Sequence, residues 1–358
     1  MIRHLKAAII AFAFAFAGQA SGAESPGISV QKSLICHGKI DFKKVDETGK
    51  LKYLYVNDED LRKSVHQKKG CTDCHADVNE IPHKTTPKQV NCARCHFKGN
   101  PEGAPQSDKY LEYQESSHGK AWAAGKKNAP GCQDCHGTHD VRHKADPLSH
   151  VTRANLARTC GRCHLEPYNQ YMESVHGDAA YVKGVAEAPT CSDCHGEHNI
   201  IEHLNPQSSV YATNVSKKCS HCHGEEKIVG KYGIDAEQVK TFERSFHGIA
   251  IKYGDKTVAN CASCHGIHNI RKKDDPKSSV YIENIPKTCG QQGCHPGANV
   301  NFAKGKIHVN PEKQEAGIIF WVAFAFKWLT ILTMLALIIH ILLDLYRRSA
   351  EYREKMKR

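Results

Sequence analysis

One spacing constrains this chain more than any other: two cysteines three positions apart, with a histidine directly after the second. It occurs seven times: Cys71, Cys74 and His75; Cys92, Cys95 and His96; Cys132, Cys135 and His136; Cys160, Cys163 and His164; Cys191, Cys194 and His195; Cys219, Cys222 and His223; Cys261, Cys264 and His265. An eighth copy, Cys289, Cys294 and His295, has four residues between its thiols, so the eight copies use 16 of the 17 cysteines. Cys-x-x-Cys-His is the attachment sequence of a c-type haem: two thiols add to the porphyrin vinyl groups and the adjacent imidazole ligates the iron. A disulfide framework or structural zinc would also use many cysteines, but neither needs a histidine after every second one.

At 358 residues the chain could hold two ordinary domains, yet only 40% of it is hydrophobic and much of that lies near the termini. Such a sequence cannot build a conventional side-chain core, so porphyrins are expected to serve as the core, with short helices and loops around them. The formal charge of +11 ordinarily suggests an acidic partner or a membrane surface. Eight haems bring roughly sixteen propionates, mostly ionised at neutral pH, and these are the expected counterions; nucleic-acid binding is not supported.

Both ends carry membrane-related signals. Residues 1–23 read as an export signal, with Arg3 and Lys6 before an apolar run and small residues at Ser21, Gly22 and Ala23. Residues 24–312 form the expected periplasmic haem domain. Near the C-terminus, 317–346 is an apolar stretch long enough to span a bilayer, followed by a basic tail, 347–358, that contains Arg347, Arg348, Arg353, Lys355, Lys357 and Arg358. The positive-inside tendency puts that tail in the cytoplasm and the haem region on the periplasmic side of the cytoplasmic membrane, held by a single-pass anchor. Within the anchor, Lys327 and His340 are candidates for a quinone or partner site, since ionisable groups in lipid usually mark function.

Internal repetition organises the rest. A doublet at 64–96 holds the first two motifs, and three repeats follow at 110–164, 174–223 and 245–295. Each repeat opens with Ser-x-His-Gly (His118, His176, His247), reaches a first motif 14 or 15 residues later, and continues as Cys-His-Gly-x-His (His139, His198, His268). A turn at Asp146-Pro147, Asn205-Pro206 or Asp275-Pro276 leads to a second motif whose first Cys lies 21 residues beyond that last His. This self-similarity predicts stacked supersecondary units with two haems each. A helical segment is expected before each motif; strands have little support.

Each iron needs a sixth ligand unless it is a catalytic centre. Of four methionines only Met172 lies outside the signal, anchor and tail, so histidine must supply it. Setting aside His4 and the eight motif histidines leaves 15 of 24, and the repeat selects His66, His118, His176 and His247 in the Ser-x-His context and His139, His198 and His268 after Cys-His-Gly. With His83, which follows Pro in the doublet, these make eight distal candidates for eight haems. His143, His150, His203 and His221 do not recur in register and read as surface or propionate contacts. Outside the eight stands Ser33-Leu34-Ile35-Cys36-His37-Gly38, a motif whose first Cys is Ser. Cys36 and His37, with the otherwise unassigned His308, are the candidates for a ninth haem.

On these residues the chain resembles membrane-anchored periplasmic multihaem cytochromes c of anaerobically respiring bacteria. The similarity rests on the repeats of 110–295, the doublet of 64–96 and the C-terminal anchor with a late His, and so covers most of the mature chain. The departures are Ser33 and the widened motif at Cys289. The resemblance implies a multihaem cytochrome fold of short helices and loops plus one transmembrane helix, with bis-His haems in close-packed pairs. It implies electron transfer between the quinone pool or a cytochrome b subunit and periplasmic acceptors, other cytochromes among them. The competing reading is a reductase of nitrite, hydroxylamine or a sulfur oxyanion; it needs one open haem, and no Cys-x-x-Cys-Lys sequence is present.

Overall fold

The computed structural model describes residues 28–46, 49–305 and 308–357, so the export signal expected at 1–23 lies outside the described residues. Contacts divide the chain into two units, the first made of residues 1–95 with 139–141 and the second of 96–138 with 142–358.

In the second unit the repeats fold as short helices whose ends follow from the motifs. Ser116 and Ser174 are 1% exposed; they and Ser245 cap the helices that carry His118, His176 and His247. Each hydroxyl accepts the N–H of the motif glycine (Gly119, Gly177, Gly248; 3.0–3.2 Å) and donates to the carbonyl of Tyr113, Tyr171 or Phe242 at 2.6 Å. A Cβ on Gly119, Gly177 or Gly248 would lie 2.0–2.2 Å from that same carbonyl oxygen, so only glycine lets the chain approach so closely. The Ser-x-His-Gly sequence is thus a helix cap that fixes the start of the histidine's helix. Tyr113 and Tyr171 also donate from their hydroxyls to Pro130 and Pro189 O, two residues before a first motif, and so tie the cap to the motif it precedes.

The first motif of each repeat is a single helical turn: Cys132–His136, Cys191–His195 and Cys261–His265. The third helical residue reaches back to the N-cap N–H in Gly131–Asp134, Thr190–Asp193 and Asn260–Ser263. After the histidine, Gly137, Gly196 and Gly266 turn the chain at φ 85–90°, a conformation natural to glycine. The Asp-Pro and Asn-Pro turns are also a repeated device: Asp146, Asn205 and Asp275 accept the N–H two residues on. Asn155, Asn214 and Asn284 donate across the same turns to Pro147, Pro206 and Pro276 O.

Successive copies interlock through one recurring bond. The residue between Ser and His gives its N–H to a carbonyl two positions past the Gly-x-His of the next copy: Val65 to Val141 within the first unit, and Ser117 to Ile200 and Val175 to Ile270 within the second (2.8–2.9 Å).

Strands are present, contrary to the sequence expectation, but outside the repeats. Lys43–Val45 and Leu51–Tyr53 pair antiparallel in the first unit, shortly after the helix Val30–His37. Their signal is the turn at Gly49, at φ 80°, between them.

Side-chain burial is sparse. Among the described residues the buried hydrophobics are Ala157, Tyr171, Ala188, Val229, Ala236, Phe242, Ile251 and Ala303, and the largest side chains below 2% exposure are serines. A domain of this size ordinarily buries many Leu, Ile and Phe side chains. Here the polypeptide alone encloses almost none.

The helix Ile318–Lys355 has 38 residues, a mean hydropathy of 2.2 in its most apolar window and no burial there. Its length of about 57 Å exceeds the roughly 30 Å of a hydrocarbon core, and it continues past the expected limit at 346 through most of the basic tail. Arg347 and Arg348 pair with Asp344 on the last turns.

Candidate functional site

The motif histidines meet other histidines in pairs. In the first unit His37 faces His83 (ring centres 6.1 Å apart) and His75 faces His139 (6.4 Å). In the second, the pairs are His136–His198 (5.8 Å), His118–His164 (6.1 Å), His195–His268 (6.0 Å), His176–His223 (6.1 Å), His265–His308 (6.3 Å) and His247–His295 (6.1 Å). Every pair contains one histidine that follows a motif cysteine, Cys36 included, and one from elsewhere.

Two pairing rules hold. A second-motif histidine takes its partner from the Ser-x-His-Gly of its own repeat: His164 with His118, His223 with His176, His295 with His247. A first-motif histidine takes it from the following copy: His75 with His139, His136 with His198, His195 with His268. The last repeat has no following copy, and His308 fills the place opposite His265. His308 is therefore a full member of the set rather than a spare. His83, counted among eight partners for eight complete motifs, lies instead opposite His37. The eight pairs account for all the predicted proximal and distal histidines except His96 and His66, which belong to the second and first units respectively.

The separation bears directly on what the pairs can hold. Two imidazoles on opposite sides of one metal, with bonds of about 2.1 Å and about 1.1 Å from nitrogen to ring centre, have centres about 6.4 Å apart. The observed 5.8–6.4 Å brackets that arrangement from its near side and is too long for rings in van der Waals stacking. Among the described residues no three His, Cys, Asp or Glu side chains gather as a metal site made only of protein donors requires.

Protonation is compatible. Burial lowers the pKa of His75, His118, His136, His139, His195, His198, His223, His247, His265 and His268, and brings His176 down to about 4, which keeps these rings neutral with a lone pair to offer. A carbonyl can only accept, so three rings must carry their proton on Nδ1: His37 donates to Leu54 O (2.8 Å), His83 to Thr85 O (2.9 Å) and His308 to Gln238 O (2.8 Å). Each of these leaves Nε2 unprotonated and able to serve as a ligand. His75 and His198 keep a buried Nδ1 with no hydrogen-bond partner in the protein, a cost that a non-protein polar group beside them removes.

None of the 17 cysteines is in a disulfide. Burial pushes Cys135 and Cys264 up to about 11, which holds them as neutral S–H groups. The Cys160 and Cys191 thiols interact, as do those of Cys219 and Cys261; the interaction raises the pKa of Cys160 and Cys219 and lowers that of Cys191 and Cys261. Electrostatic contact also links Cys135 to Cys160, Cys194 to Cys222 and Cys264 to Cys289, so within the second unit each motif adjoins the next in sequence order.

The structure places the second thiols of the motifs in two ways, and Cys95, Cys163 and Cys294 stand apart from the rest. Each is the second thiol of a second motif, and each stands beyond the end of its helix: after Cys92–Arg94, Arg153–Gly161 and Ile285–Cys289 respectively. Cys163 and Cys294 are exposed and Cys95 is half-buried. The reason lies in the backbone. Cys95 N–H bonds to Cys92 O, Cys163 N–H to Cys160 O and Cys294 N–H to Gln291 O, all three-residue turns at 3.0–3.2 Å that lead the chain out of the helix before the histidine. Cys135, Cys194 and Cys264 instead lie inside their helices, as does Cys222 within Val215–His223. The second thiol is thus placed by a turn at three sites and by a helix at these four.

The widened motif keeps one feature of the others. His295 N–H reaches Cys289 O (3.1 Å) just as His75 reaches Cys71 and His164 reaches Cys160, while the extra residues turn out at Gly293, φ 84°. Lys327 and His340 do not come together: 13 residues along one helix put them about 20 Å and about 140° apart. Comparison with family models, with curated proteins and with solved structures finds no match to this chain.

Proposed function

We propose that this chain is a membrane-anchored electron-transfer protein that binds c-type haem at its motif cysteines, between paired imidazoles. The observation that carries the reading is the pairing: every complete motif histidine in the eight pairs has a second histidine at the separation that axial ligation of one iron requires. Haem bound there supplies a one-electron iron couple, with the potential set by axial ligands, burial and charge.

The chain's own residues then have separate tasks. The cysteines would hold the group through thioethers, the paired histidines would hold its iron, and burial keeps the imidazoles neutral. Exposure of Cys163 and Cys294 suits this role, since a thiol that must meet a vinyl group gains from standing clear of the polypeptide. The capped helices and interlocking repeats hold each site against the next. An iron held by two protein imidazoles would leave a substrate no place to bind, which favours electron transfer over the reductase reading. The scarcity of buried hydrophobic side chains fits the same proposal, because an apolar macrocycle at each pair provides the interior that the polypeptide lacks.

The terminal helix Ile318–Lys355 ties this assembly to a membrane, and the basic residues of its last turns favour a cytoplasmic C-terminus with the paired histidines on the periplasmic side. His308 precedes Ile318 by ten residues (318 − 308), a tether of at most about 35 Å. The His265–His308 pair is therefore the candidate for exchange with quinol or a membrane-bound cytochrome b. Periplasmic cytochromes or other soluble acceptors are the partners proposed for the remainder.

The test uses the purified full-length protein. Electron paramagnetic resonance of the oxidised form is expected to show only low-spin ferric signals, with no spectral change on adding nitrite, and the reduced form is expected to show no change in its visible spectrum on adding carbon monoxide. A substantial high-spin population that binds either ligand would replace this reading with the reductase.

A further inference from the structure

We infer that His37 and His83 hold a ninth haem, attached through the single thiol of Cys36. This rests on the reading above that the other motifs bind haem, and it adds a site that the eight complete motifs do not include.

Four observations converge on it. First, the His37 and His83 rings lie 6.1 Å apart and within 11° of parallel, a separation inside the range of the other seven pairs. Second, both rings are held in the ligating tautomer by backbone carbonyls, Leu54 O for His37 and Thr85 O for His83. Two facing imidazoles that both turn Nε2 free are arranged to bind between them.

Third, the turn that carries Cys36 and His37 is built like a complete motif. The helix Val30–His37 ends on Cys-His with Gly38 following at φ −79°, ψ −5°. The helix Val215–His223 ends on Cys222-His223 with Gly224 at φ −87°, ψ −8°. Ser33 stands three residues before Cys36 on the same helical face, where Cys219 stands before Cys222. Only the sulfur is missing.

Fourth, the surrounding structure serves this pair. Phe42 meets the His37 ring edge-on at 5.1 Å, Val56 N–H bonds to His37 O, and the hairpin strand Leu51–Tyr53 leads directly to Leu54, whose carbonyl holds the ring. Lys44 of the first strand reaches Thr86 Oγ1 at 2.8 Å, which ties the hairpin to the loop that carries His83. The only strands among the described residues thus position one histidine pair. Both His37 and His83 act electrostatically on His75, so the pair adjoins His75–His139 within the first unit.

The covalent step balances without an oxidant. The Cys36 S–H adds across one haem vinyl C=C: the sulfur bonds to the inner carbon, the proton goes to the outer carbon, and no electrons leave or arrive. Ser33 cannot make a thioether, so the second vinyl stays unsaturated.

Tryptic digestion under denaturing conditions releases peptide 33–39, bounded by Lys32 and Lys39. Mass spectrometry of the wild-type digest is expected to find this peptide carrying one haem, and the intact mature protein to carry nine haem increments. The Ser33→Cys variant should keep nine increments while the ninth haem's pyridine haemochrome band moves from its red-shifted, one-vinyl position to that of the other eight. Eight increments with Cys36 alkylatable in peptide 33–39 would overturn the inference and leave the eight-haem reading intact. A protein with no increments would defeat that parent reading itself. The wild-type measurement depends on no variant folding.

Discussion

The repeats at 110–295 and the N-terminal segment at 30–96 place histidines face to face by different means. In the first two repeats the partner of the first-motif histidine comes from the following copy, and the Ser-x-His-Gly cap donates to that same copy. Neither histidine of such a pair is positioned by its own repeat alone. Around His37 the means are local: one helix, one hairpin and one loop set both rings, all within the first unit. The difference teaches how damage spreads: a fault in one repeat is felt in its neighbour, whereas a fault at His37 stays there.

The largest test of that contrast is at the cap glycines. Gly177→Ala places a Cβ 2.1 Å from Tyr171 O, so the helix must shift, and a loss of about 3 kcal/mol is expected in denaturant melts. In the N-terminal copy the equivalent position is already Gln67, after Ser64-Val65-His66. Gln67→Ala should therefore cost little, and a comparable loss there would break the comparison.

Removal of a distal histidine is expected to have the next largest effect. His198→Ala should create one high-spin, carbon monoxide-binding iron opposite His136 and also reduce hydrogen-exchange protection in both repeats that the pair joins. His83→Ala should give one such iron with protection of the repeats unchanged. Loss of repeat protection in His83→Ala would show that the N-terminal site is not local.

Ser174→Ala removes a buried cap hydroxyl and leaves Gly177 N–H without its acceptor, a cost of about 1–2 kcal/mol by thermal or chemical melting. Ser64→Ala removes a hydroxyl that bonds Leu61 O and His66 N–H in a turn that starts no helix, so the two variants compare the serine with and without a helix to cap.

The smallest effect is expected at the surface. Lys231 and Tyr232 hold the Glu187 carboxyl down to about 2, from an ordinary value of 4.5. A depressed folded value means that any stability from this cluster is present above about pH 4.5 and lost only as pH falls toward about 2. Because the group is fully exposed, water and salt screen it, and Glu187→Gln should leave the melting temperature at pH 7 unchanged within error.

Local chemistry was legible in the sequence because it operates over a few residues. Cys-x-x-Cys-His, Ser-x-His-Gly and the Asp-Pro turns each encode a cap or a turn whose donor and acceptor lie within about four positions, and the structure shows each as a repeated hydrogen-bond pattern. The terminal helix was legible for a similar reason, since an apolar run of sufficient length needs no partner to define it. Even within a motif the reading had a limit: Cys95, Cys163 and Cys294 share their motif with Cys135, Cys194 and Cys264, yet the preceding helix stops short of them, and where a helix stops depends on what it packs against.

The assignment of partners was not legible. His139, His198 and His268 share one sequence context with their own motifs and yet pair with the preceding copy, and His308 belongs with His265 although 43 residues separate them (308 − 265). Eight candidates match eight motifs in number, but counting is blind to which copy lies beside which. Only the stacking of repeats through Val65, Ser117 and Val175, and the hairpin that turns Leu54 O toward His37, decide which imidazoles face each other. Spacing along the chain specifies what a residue can bind, but the distance between residues far apart in sequence is set by packing.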